Sequence, residues 1–120
     1  MMKKVLIVDD WMFMWQSIKS ALLAIAKHAI IGEAANGDQG IELALELQPE
    51  IITMDNILPD MLGVDIIKEL RKEEIEAKII MISAVGQDSI IEECKKSGAN
   101  DYLVKPFTNE TLIEKLDNLN

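Results

Sequence analysis

The chain has 120 residues, enough for one domain with a hydrophobic core of its own, and 49% of them are apolar. The apolar runs are too short to cross a bilayer, and Met1-Met2-Lys3-Lys4 leads straight into a strand, so neither a membrane partner nor a signal peptide is expected. With 21 acidic against 12 basic residues the net charge is -9, which excludes the basic face that nucleic acid needs; the lone Cys94 excludes an internal disulfide and fits a reducing, cytoplasmic setting.

Lys3–Val8 reads as an apolar strand that runs into Asp9-Asp10. Over residues 12–27 the apolar Met14, Ile18, Ala21, Leu22 and Ile25 recur at helical spacing. Residues 29–34 read as a second strand, Ala35-Asn36-Gly37-Asp38 as a turn, and 39–47 as a helix stopped by Pro49. Ile51–Met54 is β-branched and apolar, too short for a helix, and reads as a strand buried on both faces. Asp55 follows at once, and Pro59 forbids the ladder from continuing.

Residues 60–63 form a loop and 64–72 a short helix with Ile66, Ile67 and Leu70 on one side. Lys78–Ser83 is the fourth strand, and Asp88–Ser97 a helix closed by Gly98. Residues 101–105 form the fifth strand, with Pro106 behind it. Thr108-Asn109-Glu110-Thr111 opens a last helix whose apolar side is Leu112, Ile113, Leu116 and Leu119. Strict β-α alternation predicts one α/β domain over 1–120, a five-stranded parallel sheet with helices on both faces.

Parallel strands share their C-terminal edge, where α/β sheets bind ligands. At that edge stand Asp9, Asp10, Asp55, Ser83 and Lys105. One reading is that the acids merely cap the helices that follow. The other is phosphoryl transfer to a carboxylate. In it Asp55 is the nucleophile, Asp9 and Asp10 hold Mg²⁺, Lys105 pairs with phosphoryl oxygens, and the Ser83 hydroxyl donates to one of them.

The motifs Val5-Leu6-Ile7-Val8-Asp9-Asp10, Met54-Asp55 with Pro59 and Gly63, Ser83-Ala84, and Lys105-Pro106-Phe107 resemble those of two-component response regulator receiver domains. Phe13-Met14, Gly32-Glu33-Ala34 and Ser83-Ala84-Val85-Gly86-Gln87 are similar to the single-domain chemotaxis, CheY-like branch in particular. The resemblance spans essentially the whole chain. It implies the flavodoxin-like strand order 2-1-3-4-5, for which CheY is itself the usual example, and no effector domain.

It further implies that Asp55 takes a phosphoryl group from the phosphohistidine of a histidine kinase. Asp10, Asp55 and the Ile57 backbone carbonyl would bind Mg²⁺, with Asp9 acting through water, and Ser83 and Tyr102 would form the switch pair. The partner downstream would be a target protein such as a flagellar motor switch. The domain would signal rather than catalyse, beyond its own phosphorylation and slow autodephosphorylation.

Several positions depart from the family pattern. Trp11 stands where a small or polar residue is usual, Trp15 where Arg is common, and Leu62 where Asn, Asp or Ser is common. Ile57, two residues after Asp55, occupies a position that tunes hydrolysis in the family. Trp11, Trp15, Ile57 and Leu62 are therefore candidates for an apolar contact surface, with a homodimer as the alternative reading of the chain. A haloacid-dehalogenase-type enzyme fits poorly, because its nucleophile should follow the first strand with a second Asp two residues on. A flavodoxin lacks support for want of a phosphate-cradling loop, and His28 stands alone, far in sequence from the acids.

Overall fold

The computed structural model describes residues 3–24 and 28–119. Five parallel strands, β1 (Lys3–Val8), β2 (His28–Ala34), β3 (Ile51–Met54), β4 (Lys78–Ser83) and β5 (Asp101–Val104), lie in the order β2-β1-β3-β4-β5. The helices are α1 (Met12–Ala24), α2 (Gly37–Leu47), α3 (Gly63–Lys72), α4 (Asp88–Ser97) and α5 (Asn109–Asp117). Among the described residues no helix is long and apolar enough to cross a membrane.

The two-residue period of each strand divides the core. Val5, Ile7, Ile51, Ile80 and Ile82 face Ile18, Ala21 and Leu22 of α1 and Leu112 and Leu116 of α5. Leu6, Val8, Ile52, Met54, Ile79 and Met81 face Ala44 of α2, Val64, Ile66, Ile67 and Leu70 of α3, and Cys94 of α4. Both faces are thus covered, and each large side chain so buried contributes roughly 1.5–3 kcal/mol before entropic costs.

Element boundaries differ from the expected ones for local reasons. The stretch 35–38 is not a free turn: Asn36 is the N-cap, its side chain accepting from the Gln39 N–H at 2.9 Å, so α2 starts at Gly37 rather than 39. Helix α3 starts at Gly63, one residue early. A Cβ there would stand 2.7 Å from the Asp55 carbonyl oxygen and 2.9 Å from Asn56 Cα, so only glycine allows the helix so close. Strand β2 begins one residue early, at His28, and the expected end of the first helix, including Ile25, lies outside the described residues.

Candidate functional site

Register alone brings the acids together. Strands β1 and β3 pair Val5 with Ile51 and Val8 with Met54, so the next residues, Asp9 and Asp55, leave the sheet side by side. The ladder extends one step beyond the strands: Asp55 N–H donates to the Val8 carbonyl and Asp9 N–H to the Ala34 carbonyl, both at 2.9 Å. On the far side β4 pairs Ser83 with Val104, and Lys105 N–H donates to the Ser83 carbonyl at 2.9 Å. The lysine backbone is thereby fixed beside the same edge.

Asp9 and Asp55 are buried and held in matching ways. Each receives a backbone N–H from two residues on through Oδ1: Trp11 to Asp9 at 2.9 Å, and Ile57 to Asp55 at 3.2 Å. Each presents Oδ2 to Lys105 Nζ, at 3.3 Å and 3.2 Å. Asp10 is exposed, yet one oxygen of each of Asp9, Asp10 and Asp55 lies within 4.8 Å of the others. Burial pushes the Asp9 carboxyl above its ordinary range and the Asp55 charge adds to that, against the pull of the Trp11 N–H and Lys105.

One ammonium does not balance three carboxylates. The donor set is hard oxygen, and its excess negative charge suits a divalent cation such as Mg²⁺.

Ser83 and Tyr102 are both tied to the backbone of Val85. The Tyr102 ring is buried against the core formed with α3 and α4, and its hydroxyl donates to the Val85 carbonyl. The Val85 N–H donates to Ser83 Oγ at 3.3 Å. Burial raises the phenol above its usual range. Val85 therefore joins the pair, which the sequence could not reveal because its contribution is all backbone.

The four apolar candidates divide. Trp11, Ile57 and Leu62 are about half exposed (52%, 54% and 47%), and Ile57 and Leu62 face each other in an isolated bridge. Trp15 instead packs partly against the core on the α1–α5 face, with Lys19 Nζ 5.3 Å from its ring centroid. It also lines a cavity beside the acids with Asp9, Asp10, Glu33 and Gln39. Sequence reading missed Asn56, buried next to Asp55, whose side-chain oxygen lies 3.9 Å from Cys94 Sγ on α4. It also missed Asp60, which accepts from the N–H groups of Gly37 and Asp38 and so ties the β3–α3 loop to α2.

A doubly wound sheet with a carboxylate triad and one lysine at its switch point defines a class of α/β domains built around an acidic site at the strand ends. The comparisons agree: residues 5–117 match the family model of the response regulator receiver domain. The chain belongs to that family, and it is a two-component receiver domain. It is 44% identical to the chemotaxis protein CheY of Thermotoga maritima over 115 residues, 96% of this chain and 95% of that one. Among solved structures it resembles the chemotaxis response regulator CheY4 of Vibrio cholerae (TM-score 0.90, 29% identity, 100% of each chain). It also resembles Borrelia burgdorferi CheY in a CheX-CheY-BeF3-Mg complex (TM-score 0.93, 26% identity, 98% of this chain and 88% of that one).

Proposed function

We propose that this domain is a phosphoacceptor response regulator of a chemotaxis-type pathway, phosphorylated on Asp55 by a histidine kinase and altering its affinity for a downstream target. The observation that carries the reading is Lys105 Nζ bridging Asp9 and Asp55 while Asp10 completes the acid cluster. A carboxylate held at one oxygen by an N–H and at the other by an ammonium is fixed in orientation, which would favour its attack on phosphorus. Asp9, Asp10, Asp55 and the Ile57 carbonyl would hold Mg²⁺, which when bound offsets charge on the phosphoryl oxygens. The Borrelia CheY complex, whose name includes BeF3 and Mg, gives this assignment support by likeness.

Lys105 neutralises Asp55 at rest and is placed to contact a phosphoryl group there afterwards. Ser83, buried at the end of β4, offers the hydroxyl that links such a group to Val85 and Tyr102. Movement of that hydroxyl toward Asp55 would break its bond to the Val85 N–H and change how the β4–α4 loop packs on Tyr102. Such a switch would act in the cytoplasm, where the kinase domains of sensor proteins lie.

The test is incubation with Mg²⁺ and acetyl phosphate followed by intact mass. One phosphoryl adduct is expected in the wild type and none in Asp55→Asn; an undiminished adduct in that variant would overturn the assignment. Lys105→Ala is expected to take up phosphate without the spectral response of the wild type. The second reading, a homodimer through Trp11, Ile57 and Leu62, rests on their exposure. The charge of -9 on each copy opposes it, and light scattering at two concentrations decides.

A further inference from the structure

We propose that Trp11 is a positioning residue that covers Lys105 and sets the lifetime of the phosphorylated site. The inference rests on Asp55 being the phosphoacceptor and deepens that reading.

Core packing does not explain this side chain: Trp11 is 52% exposed, and its neighbour Phe13 is 73% exposed. It is nevertheless held in place. Its N–H is bound to Asp9 Oδ1, and its carbonyl accepts the Trp15 N–H at 3.0 Å, which anchors it to the first turn of α1. Its ring meets that of Phe13 edge-on, with centroids 6.2 Å apart.

The indole so fixed lies with its centroid 5.8 Å from Lys105 Nζ. Lys105 thus has carboxylates on one side and an aromatic face on another, and its side chain is only 10% exposed although it follows the last strand. Cation–π attraction favours an ammonium at this distance.

A phosphoryl group on the Asp55 carboxylate stays within reach of Lys105, whose other side the indole covers. Loss of that group is hydrolysis. A water oxygen attacks phosphorus, the bond from phosphorus to the Asp55 oxygen breaks, the carboxylate leaves with that electron pair, and the water protons depart with inorganic phosphate or to solvent. The rate depends on access of that water and on how long Lys105 stays on the phosphoryl oxygens. Trp11 acts on the second, by holding the ammonium beneath its ring.

The experiment compares the full chain with Trp11→Ser and Trp11→Phe. Each is loaded with acetyl phosphate and Mg²⁺ and desalted, and the adduct is followed by intact mass. Losing an exposed cation–π contact should shorten the lifetime in Trp11→Ser by about two- to fivefold, whereas Trp11→Phe keeps most of it. In parallel, brief acylation of amines in the unphosphorylated protein should modify Lys105 faster in Trp11→Ser than in wild type or Trp11→Phe. A merely structural role would not move that reactivity selectively.

Lifetimes equal in all three proteins, or Lys105 labelling unchanged by Trp11→Ser, overturn the proposal while leaving Asp55 as phosphoacceptor. Absence of any adduct in the wild type removes that reading and this inference together.

Discussion

Two cations anchor opposite edges of the same sheet. Lys105 sits where the strands end, between Asp9 and Asp55. Arg71, in the last turn of α3, sits where β4 and β5 begin. Its Nε and Nη2 donate to the Gly98 carbonyl at 3.2 and 2.8 Å, Nη1 donates to the Ile75 carbonyl, and Nη2 also reaches Asn100 Oδ1 at 3.3 Å. That Asn100 oxygen also accepts the Ile79 N–H at 2.8 Å, and Gly98 turns with φ 124° against the arginine stem. All the acceptors around Arg71 are neutral and none repels another. Those around Lys105 are charged and repel. A cation among carbonyls closes a structure; a cation outnumbered by carboxylates leaves charge unbalanced, which suits a divalent metal ion.

The largest effect is expected at the structural end. Arg71→Leu leaves the Gly98 and Ile75 carbonyls without their donor and should cost about 2–4 kcal/mol of stability by urea denaturation. A loss below about 0.5 kcal/mol would mean that water replaces the guanidinium there, and the contrast between the two edges would fail.

At the acid edge the sign should reverse. Without Mg²⁺, Asp10→Asn relieves repulsion with Asp9 and Asp55 and should raise the melting temperature. Adding Mg²⁺ to tenfold above its dissociation constant should then stabilise the wild type by about 1.4 kcal/mol, and Asp10→Asn far less. A wild type indifferent to millimolar Mg²⁺ would show that the three acids do not act together.

This edge was legible in the sequence because its residues follow strands in a strictly alternating chain. Once parallel pairing is assumed, Asp9, Asp55 and Lys105 must emerge together, and register did the rest. The Arg71 cluster was not legible, since its acceptors are backbone carbonyls, which leave no mark on residue identity. The same holds for Val85 between Ser83 and Tyr102. The composition of Asn36-Gly37 suggests a turn, whereas the Gly37 N–H finds its partner more than twenty positions away in Asp60. The two tryptophans, four residues apart, looked equivalent. Only the packing of α1 separates Trp15, against the core, from Trp11, over Lys105.

A third polar group tests the comparison from the middle of the sheet. Thr53 on β3 is fully buried, and its hydroxyl has no hydrogen-bond partner. It is neither a closed structural knot like Arg71 nor part of the acid edge. Thr53→Val keeps the shape and β-branching and removes an unpaired hydroxyl, so it should gain about 1 kcal/mol in urea denaturation while leaving phosphorylation of Asp55 unchanged. A loss of stability would mean that the hydroxyl finds a partner in solution.

The smallest effect concerns Asp60, which joins the loop carrying the site to the structural frame. Its exposed carboxylate accepts the Gly37 N–H at 2.6 Å and the Asp38 N–H at 2.9 Å, the unpaired donors at the start of α2. Those two bonds hold the carboxyl below its ordinary value of 3.8. A group with a depressed folded-state value contributes stability above its unfolded value and loses it as pH falls through the folded one. Asp60→Ala should therefore lower the urea midpoint at neutral pH, and the gap to wild type should narrow as acid protonates the carboxylate. A gap that stays constant into the acid range would show that Asp60 acts by packing the loop rather than by charge. The loop would then owe its position to Met61, against Gly37, and not to the helix terminus.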